Sequence, residues 1–234
     1  MNRITHPPAA ALTRPDLGAM TSRLALAAGL VVLAMFATFV VTGIGQDPLQ
    51  YMHAPADYVA ILLKNPPVLR MAIGMDNLFI MLYSAMFLAL GTTLWCGSRS
   101  SSLLLAALAL LAASGLLDLI ENMHFLTMIA TALQGLEISL TQIELQVWES
   151  LIKFHLSYLG LFLLGFALPH ETRMERALCF ALRWVQLPVG LLIYLTPPAV
   201  ALPLVLTRFT FFFLALLAIW AIYQPRRAGS DAPV

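Results

Sequence analysis

Apolar runs of about 20 residues alternate along the chain with short polar stretches. The runs cover Leu24–Gly45, Leu69–Trp95, Leu103–Leu133, Trp148–Leu168, Ala177–Leu195 and Leu202–Tyr223. At 1.5 Å per residue each is long enough for the ~30 Å hydrocarbon core of a bilayer. The pattern predicts an all-α, polytopic transmembrane bundle of about six spans. Arg183 and Pro188 interrupt the fifth run, and Pro188 predicts a kink there. Residues 1–21 and 224–234 read as polar tails flanking a transmembrane domain at 22–223. The first run is too long for the h-region of a cleaved signal peptide and lacks a small-x-small site at its end, so it reads as a retained span.

The punctuation agrees with this division. Thr141 and Glu144 have the spacing of a capping box ahead of the fourth span. Gly135 suits the end of the third. Pro197-Pro198 forces a tight connection between the last two spans, and Pro203 fits the first turn of the sixth. Residues 46–68 form the longest internal loop. Within it "ADYVAILLKN" carries Val59, Ile61, Leu62 and Leu63 and predicts a short interfacial helix, either an ordered connector or a lid.

Composition sharpens the class. The chain is 60% apolar and 11% charged, with a mean hydropathy of +0.85, whereas soluble domains carry roughly 25% charged residues. A net charge of +1 with no basic patch argues against a nucleic-acid partner. Cys96 and Cys179 form no disulfide framework. No internal repeat is visible, which disfavours a classical secondary transporter. Arg3, Arg14, Arg23, Arg99, Arg173, Arg176, Arg183, Arg226 and Arg227 fall on one side of the spans, and only Lys64 and Arg70 on the other. The positive-inside rule then places both termini in the cytoplasm, N-in and C-in, across a plasma membrane such as a bacterial inner membrane. Trp95, Trp148 and Tyr223 suit interfacial anchors, and Met71, Met75, Met81 and Met86 suit adaptable packing.

Candidate chemistry lies inside the spans. "LLDLIENMHFL" places Asp118, Glu121, Asn122 and His124 in the third run. With odd spans running outward, Asp118 lies about 22 Å and Glu121 about 27 Å from the inner edge. Asp76 and Asn77 in the second run, Glu149, Lys153 and His155 in the fourth, and Arg208 in the sixth fall at similar depth. An ionisable group at the centre of a spanning helix costs at least ~2.5–3.5 kcal/mol, so such groups face the bundle interior and pair. The expected pairs are Glu149–Lys153, spaced i,i+4, and Asp118–Arg208, with Asn77 and Asn122 as crosslinks. Asp76, Asp118, Glu121, Lys153 and Arg208 are expected to form the core of a polar pocket in the outer half, and His124, His155 and Glu149 its rim. Four acids face two fixed cations, so some acids must be neutral, hydrogen-bonded or matched by a bound cation.

Three readings of the pocket stand side by side. The favoured one is binding or movement of a small ligand (lipid-like, zwitterionic or cationic) or of a proton, with the lipid bilayer as the standing partner. The second is a metal- or haem-dependent membrane enzyme or redox protein. Glu121-x-x-His124 has the i,i+3 spacing of di-iron bundles, but "ESLIKFH" offers lysine where the second histidine belongs. His124 and His155 are also candidate axial haem ligands. H-E-x-x-H and G-x-S-x-G are absent, and Ser114 and Ser157 have no spacing that recommends them as nucleophiles. The third reading is a structural subunit with an internal salt-bridge network. The identity of any cofactor stays open at this level.

Overall fold

The computed structural model describes residues 14–95, 101–197, 200 and 202–225. Cys96, Arg99, Pro198, Arg226 and Arg227 lie outside the described residues, as does the chain before Arg14. The elements are α1 (Arg14–Thr42), a 3₁₀ turn (Asp47–Gln50), α2 (Pro55–Leu63), α3 (Pro66–Trp95), α4 (Ser101–Leu133), α5 (Leu140–Ala167), α6 (Arg173–Trp184), α7 (Gln186–Leu195) and α8 (Leu202–Ile222). Among the described residues there is no strand. Six segments are long and apolar enough to cross a membrane: α1, α3, α4, α5, α6 with α7, and α8.

Several boundaries move for physical reasons. α1 begins at Arg14, not Leu24, so residues 14–21 are helical. Leu17, Thr21 and Ser22 are buried there, and the Ser22 hydroxyl donates to the Trp220 carbonyl of α8 at 2.9 Å. α5 begins at Leu140, ahead of the apolar run that starts at Trp148, as a cap before that run predicts. Its capping box is Ser139–Gln142, not Thr141–Glu144. The Ser139 hydroxyl accepts the Gln142 N–H at 3.3 Å, and Gln142 Oε1 accepts the Ser139 N–H at 2.9 Å. The two turns ahead of Trp148 place Lys153 near the middle of α5.

Gly135 ends α4 as its sequence position suggests. It adopts φ +69, with the Leu136 N–H bonded to the Thr131 carbonyl at 3.1 Å and its own N–H to Ala132 at 3.0 Å. That is the Schellman pattern, in which a left-handed residue satisfies the last carbonyls. The fifth span breaks at Val185 (φ −115, ψ −53) between α6 and α7. Pro188 accounts for the break, because it lacks the N–H that would reach Trp184 and its ring crowds that carbonyl.

The helices close a ring in the order α8, α1, α3, α4, α5, α6/α7 and back to α8. Two separate apolar cores fill it. One contains Ala28, Met86, Leu90, Leu104, Leu164, Leu182 and Leu216, in the half nearer the chain termini. The other contains Leu49, Tyr58, Leu62, Ile73, Phe125, Met128 and Ile143, in the half that carries α2 and the 3₁₀ turn. α2 is a packed connector there, since Tyr58 and Leu62 are fully buried. Buried polar side chains lie between the two cores.

Close approaches hold the ring together. A Cβ on Gly190 of α7 would lie 2.3 Å from Cζ of Tyr158 on α5. Gly74 on α3 is exposed, and a Cβ there would meet nothing within 4 Å. Gly190→Ala is expected to lower stability by about 1–3 kcal/mol, because the buried ring must move. Gly74→Ala is expected to leave stability unchanged or raise it, by up to ~1 kcal/mol. Thermal unfolding of both variants in one detergent checks the contrast; equal behaviour would remove the packing account.

Candidate functional site

The polar layer is built around Lys153. Asp118 and Glu121 lie three residues apart on α4, so they share a face and look across to α5. Lys153 Nζ donates to Asp118 Oδ1 at 2.5 Å and to Glu121 Oε2. Glu121 is completely buried, and its second oxygen accepts from the Ser150 hydroxyl and, at 3.3 Å, from Gln146 Nε2. Gln146 Oε1 accepts from the Tyr58 hydroxyl of α2 at 3.0 Å. Burial raises the Tyr58 phenol above its ordinary range, so it stays a donor. On the other flank the Tyr83 hydroxyl donates to Asp118 Oδ2 at 3.0 Å. The Ser114 hydroxyl donates to the Lys153 carbonyl at 2.9 Å, a further tie between α4 and α5.

The remaining candidates fall into separate groups. Asn122 Nδ2 donates to Asp76 Oδ2 at 2.8 Å and to Asn77 Oδ1 at 2.9 Å, which joins α4 to α3. His124 Nδ1 pairs with Glu149 Oε2 at 2.9 Å, outside the dry network. Arg208 Nη2 meets Asp47 of the 3₁₀ turn at 3.3 Å, and Nη1 donates to the Tyr158 hydroxyl at 3.5 Å. The guanidinium also lies over the ring of Phe154, 4.2 Å from its centre. Asp47 sits in the loop. Lost hydration raises its carboxyl above the usual range, and Arg208 and Lys153 pull it back in part.

Three sequence expectations are corrected. Lys153 does not pair with Glu149, and Asp118 does not pair with Arg208. The lysine reaches across the helix interface because two carboxylates converge there in a dry space, and Glu149 is left to His124. Arg208 finds a loop acid that hydropathy alone does not bring near. His155 does not join the polar layer: it is exposed, its Nδ1 lies 2.7 Å from the Leu151 carbonyl of its own helix, and its ring stacks on Tyr194 at 5.2 Å. His124 and His155 thus have different partners, Glu149 and Tyr194. Among the described residues, no group of three or more His, Cys, Asp and Glu side chains is placed to hold a metal ion.

Sequence reasoning missed Tyr58, Gln146, Ser150, Asp47 and Tyr158. A signal existed for two of them. Gln146, Ser150 and Lys153 follow i, i+4, i+7 spacing, so they share the face of α5 turned toward α4.

A cavity of about 440 Å³ adjoins the layer, within the size range of small-molecule sites. Asp76, Asp118, Lys153 and Arg208 lie on its polar wall, and α1 and α8 supply an apolar wall. These two helices touch nearer the termini, where a Cβ on Gly29 would sit 3.7 Å from the Phe213 ring. Leu33 and Phe36 of α1 and Leu202 and Phe209 of α8 line the cavity and are themselves exposed.

No protein family, curated protein or solved structure matches the chain. Its class rests on the geometry. Six apolar helices in a closed ring are compatible with a multi-pass integral membrane protein in contact with lipid.

The network makes a double-sided demand on Lys153. Lys153→Met leaves two buried carboxylates without their cation and is expected to cost about 3–5 kcal/mol. Adding Asp118→Asn and Glu121→Gln to that variant is expected to recover most of the loss, because no buried charge remains unmatched. Thermal unfolding of the single and triple variants reads both. A triple variant less stable than the single one would show that the charges themselves hold α4 to α5.

Proposed function

We propose that the protein binds a small amphipathic ligand within the membrane, in the cavity between the α1/α8 wall and the polar layer. One observation carries the reading: the cavity is apolar on one wall and ionisable on the other, and the α1 and α8 residues on its apolar wall include exposed ones. A ligand with both characters can bury its apolar part against Phe36, Phe79 and Phe209 while its polar part meets Asp76 or Arg208. The Lys153 network has a different part in this account. It is closed by protein groups and needs no ligand, so it serves as the rigid back of the site.

Orientation belongs to the same proposal. Ser22 and Trp220 meet, so the start of α1 and the end of α8 lie on one side. The arginine-rich loops support assigning that side to the cytoplasm, which would put the cavity's loop end outside, as in an inner-membrane protein. An alkaline phosphatase fusion after Val234 is expected to be inactive and a green fluorescent protein fusion at the same point bright; the opposite pair of results would invert the assignment.

The ligand reading is tested by filling the cavity. Ala72 is 7% exposed and lines it. Wild-type protein in nanodiscs is titrated with a cationic, an anionic and a neutral lipophilic probe (tetraphenylphosphonium, tetraphenylborate and dodecanol). At least one is expected to bind saturably and raise the melting temperature, by an amount equivalent to ~2.7 kcal/mol at a hundredfold excess over Kd. Ala72→Phe is expected to abolish that shift while the protein stays folded. No saturable, protein-dependent binding of any probe would end the proposal.

A further inference from the structure

The polar wall of the cavity is not electrically balanced. Asp47, Asp76, Asp118, Lys153 and Arg208 line it, and Glu121 stands behind Lys153. Arg208 is matched by Asp47, and Lys153 is shared between Asp118 and Glu121. Asp76 is left over. Its carboxylate accepts one hydrogen bond from an amide, Asn122 Nδ2 at 2.8 Å. Among the described residues no lysine, arginine or histidine lies within ion-pair distance of it. The residue is 8% exposed, and what exposure it keeps faces the cavity it lines.

The cavity beside Asp76 is aromatic. Phe79 and Tyr83 follow Asp76 at i+3 and i+7 on α3, so the three share one face. Phe212 of α8 completes the group. The centres of Phe79 and Tyr83 are 5.1 Å apart, those of Phe79 and Phe212 5.7 Å, and those of Tyr83 and Phe212 6.4 Å, all edge to face. All four residues line the same cavity. A largely buried acid without a cation, beside aromatic rings, is the chemistry that holds an organic ammonium or phosphonium ion.

We infer that the ligand of this cavity is a lipophilic organic cation, its charge set against Asp76 within the Phe79–Tyr83–Phe212 aromatic group and its apolar body against the α1/α8 wall. The inference rests on the ligand reading above and narrows it to one charge class. The shortage of positive charge gives the sign: the layer around Lys153 holds three acids, Asp76, Asp118 and Glu121, against one lysine, so a monocation brings the site closer to neutrality and an anion takes it further away. Arg208 is the competing anchor, since its Nε has no partner. It already faces Asp47, however, and an anion there would have to displace that carboxylate.

The test compares probes of nearly the same shape and opposite charge, tetraphenylphosphonium and tetraphenylborate, by equilibrium binding to full-length protein in nanodiscs of zwitterionic lipid. The cation is expected to bind saturably, and the anion about tenfold more weakly or not at all. Asp76→Asn, which keeps an acceptor for Asn122, is expected to weaken the cation about tenfold, and Asp76→Glu to restore most of the binding. Phe212→Leu keeps the apolar bulk and is expected to weaken the cation several-fold, so it tests the site even if the Asp76 variants unfold. Tetraphenylphosphonium binding that is indifferent to both positions would overturn the inference. Saturable binding of tetraphenylborate or dodecanol without the cation would overturn it too, yet leave the ligand cavity standing. Failure of all three probes would remove both.

Discussion

Lys153 and the two carboxylates it bridges set the terms for the rest of the bundle. A lone charge in an apolar helix is costly, and so is a buried pair whose remaining lone pairs go unmet. Here the remaining oxygens are met. Glu121 accepts from Ser150 and Gln146, Asp118 accepts from Tyr83, and Tyr58 extends the chain to α2. The network therefore ties α3, α4, α5 and α2 into one unit at one level. Hydrogen bonds between spanning helices contribute only about 0.6 kcal/mol each on average. The specificity of this layer lies less in their sum than in the cost of any register that leaves a carboxylate alone.

The two apolar cores follow from that layer. Polar side chains cannot be interleaved with leucine and phenylalanine, so the interior divides above and below them. Nearer the termini the core recruits all the spanning helices except α7, the second half of the fifth span. In the loop half it uses α3, α4, α5, α2 and the turns beside them, with no residue from α8 and only Ile44, just past the end of α1. The outer parts of α1 and α8 thus lack a packing partner at the centre of the ring, and the cavity occupies the space they leave. The cavity and the polar network are two consequences of one partition.

Much of this was legible in the residues, and the reasons differ by feature. Span number and class follow from hydropathy because a bilayer imposes length and internal hydrogen bonding. Gly135 and Pro188 did what their backbones dictate. The α5 capping box was misplaced because two S/T-x-x-E/Q spacings occur within six residues, and hydropathy favours neither. Ionisable residues were found because they stand out against leucine. Their pairing was not found, since depth along a helix says nothing about which faces meet. Glu149 and Lys153 look paired on one helix, yet Lys153 crosses to α4 and Glu149 holds His124. Tyr58, Gln146 and Ser150 were missed because such residues are unremarkable in a sequence until a carboxylate is seen to need a donor.

The charge arithmetic also sets the proposed site apart from a purely structural layer. A purely structural layer would be expected to close on itself, as the Arg208–Asp47 pair does. Asp76 is not closed in this way: it stands one helix away from the Lys153 network with only an amide for company. A neutral asparagine at 76 could accept the same bond from Asn122 without the cost of a buried carboxyl. What the carboxyl adds beyond that bond is the capacity to carry a proton or face a cation at the edge of a cavity. Its aromatic neighbours favour the cation, because a proton needs no ring faces and an ammonium or phosphonium ion is stabilised by them.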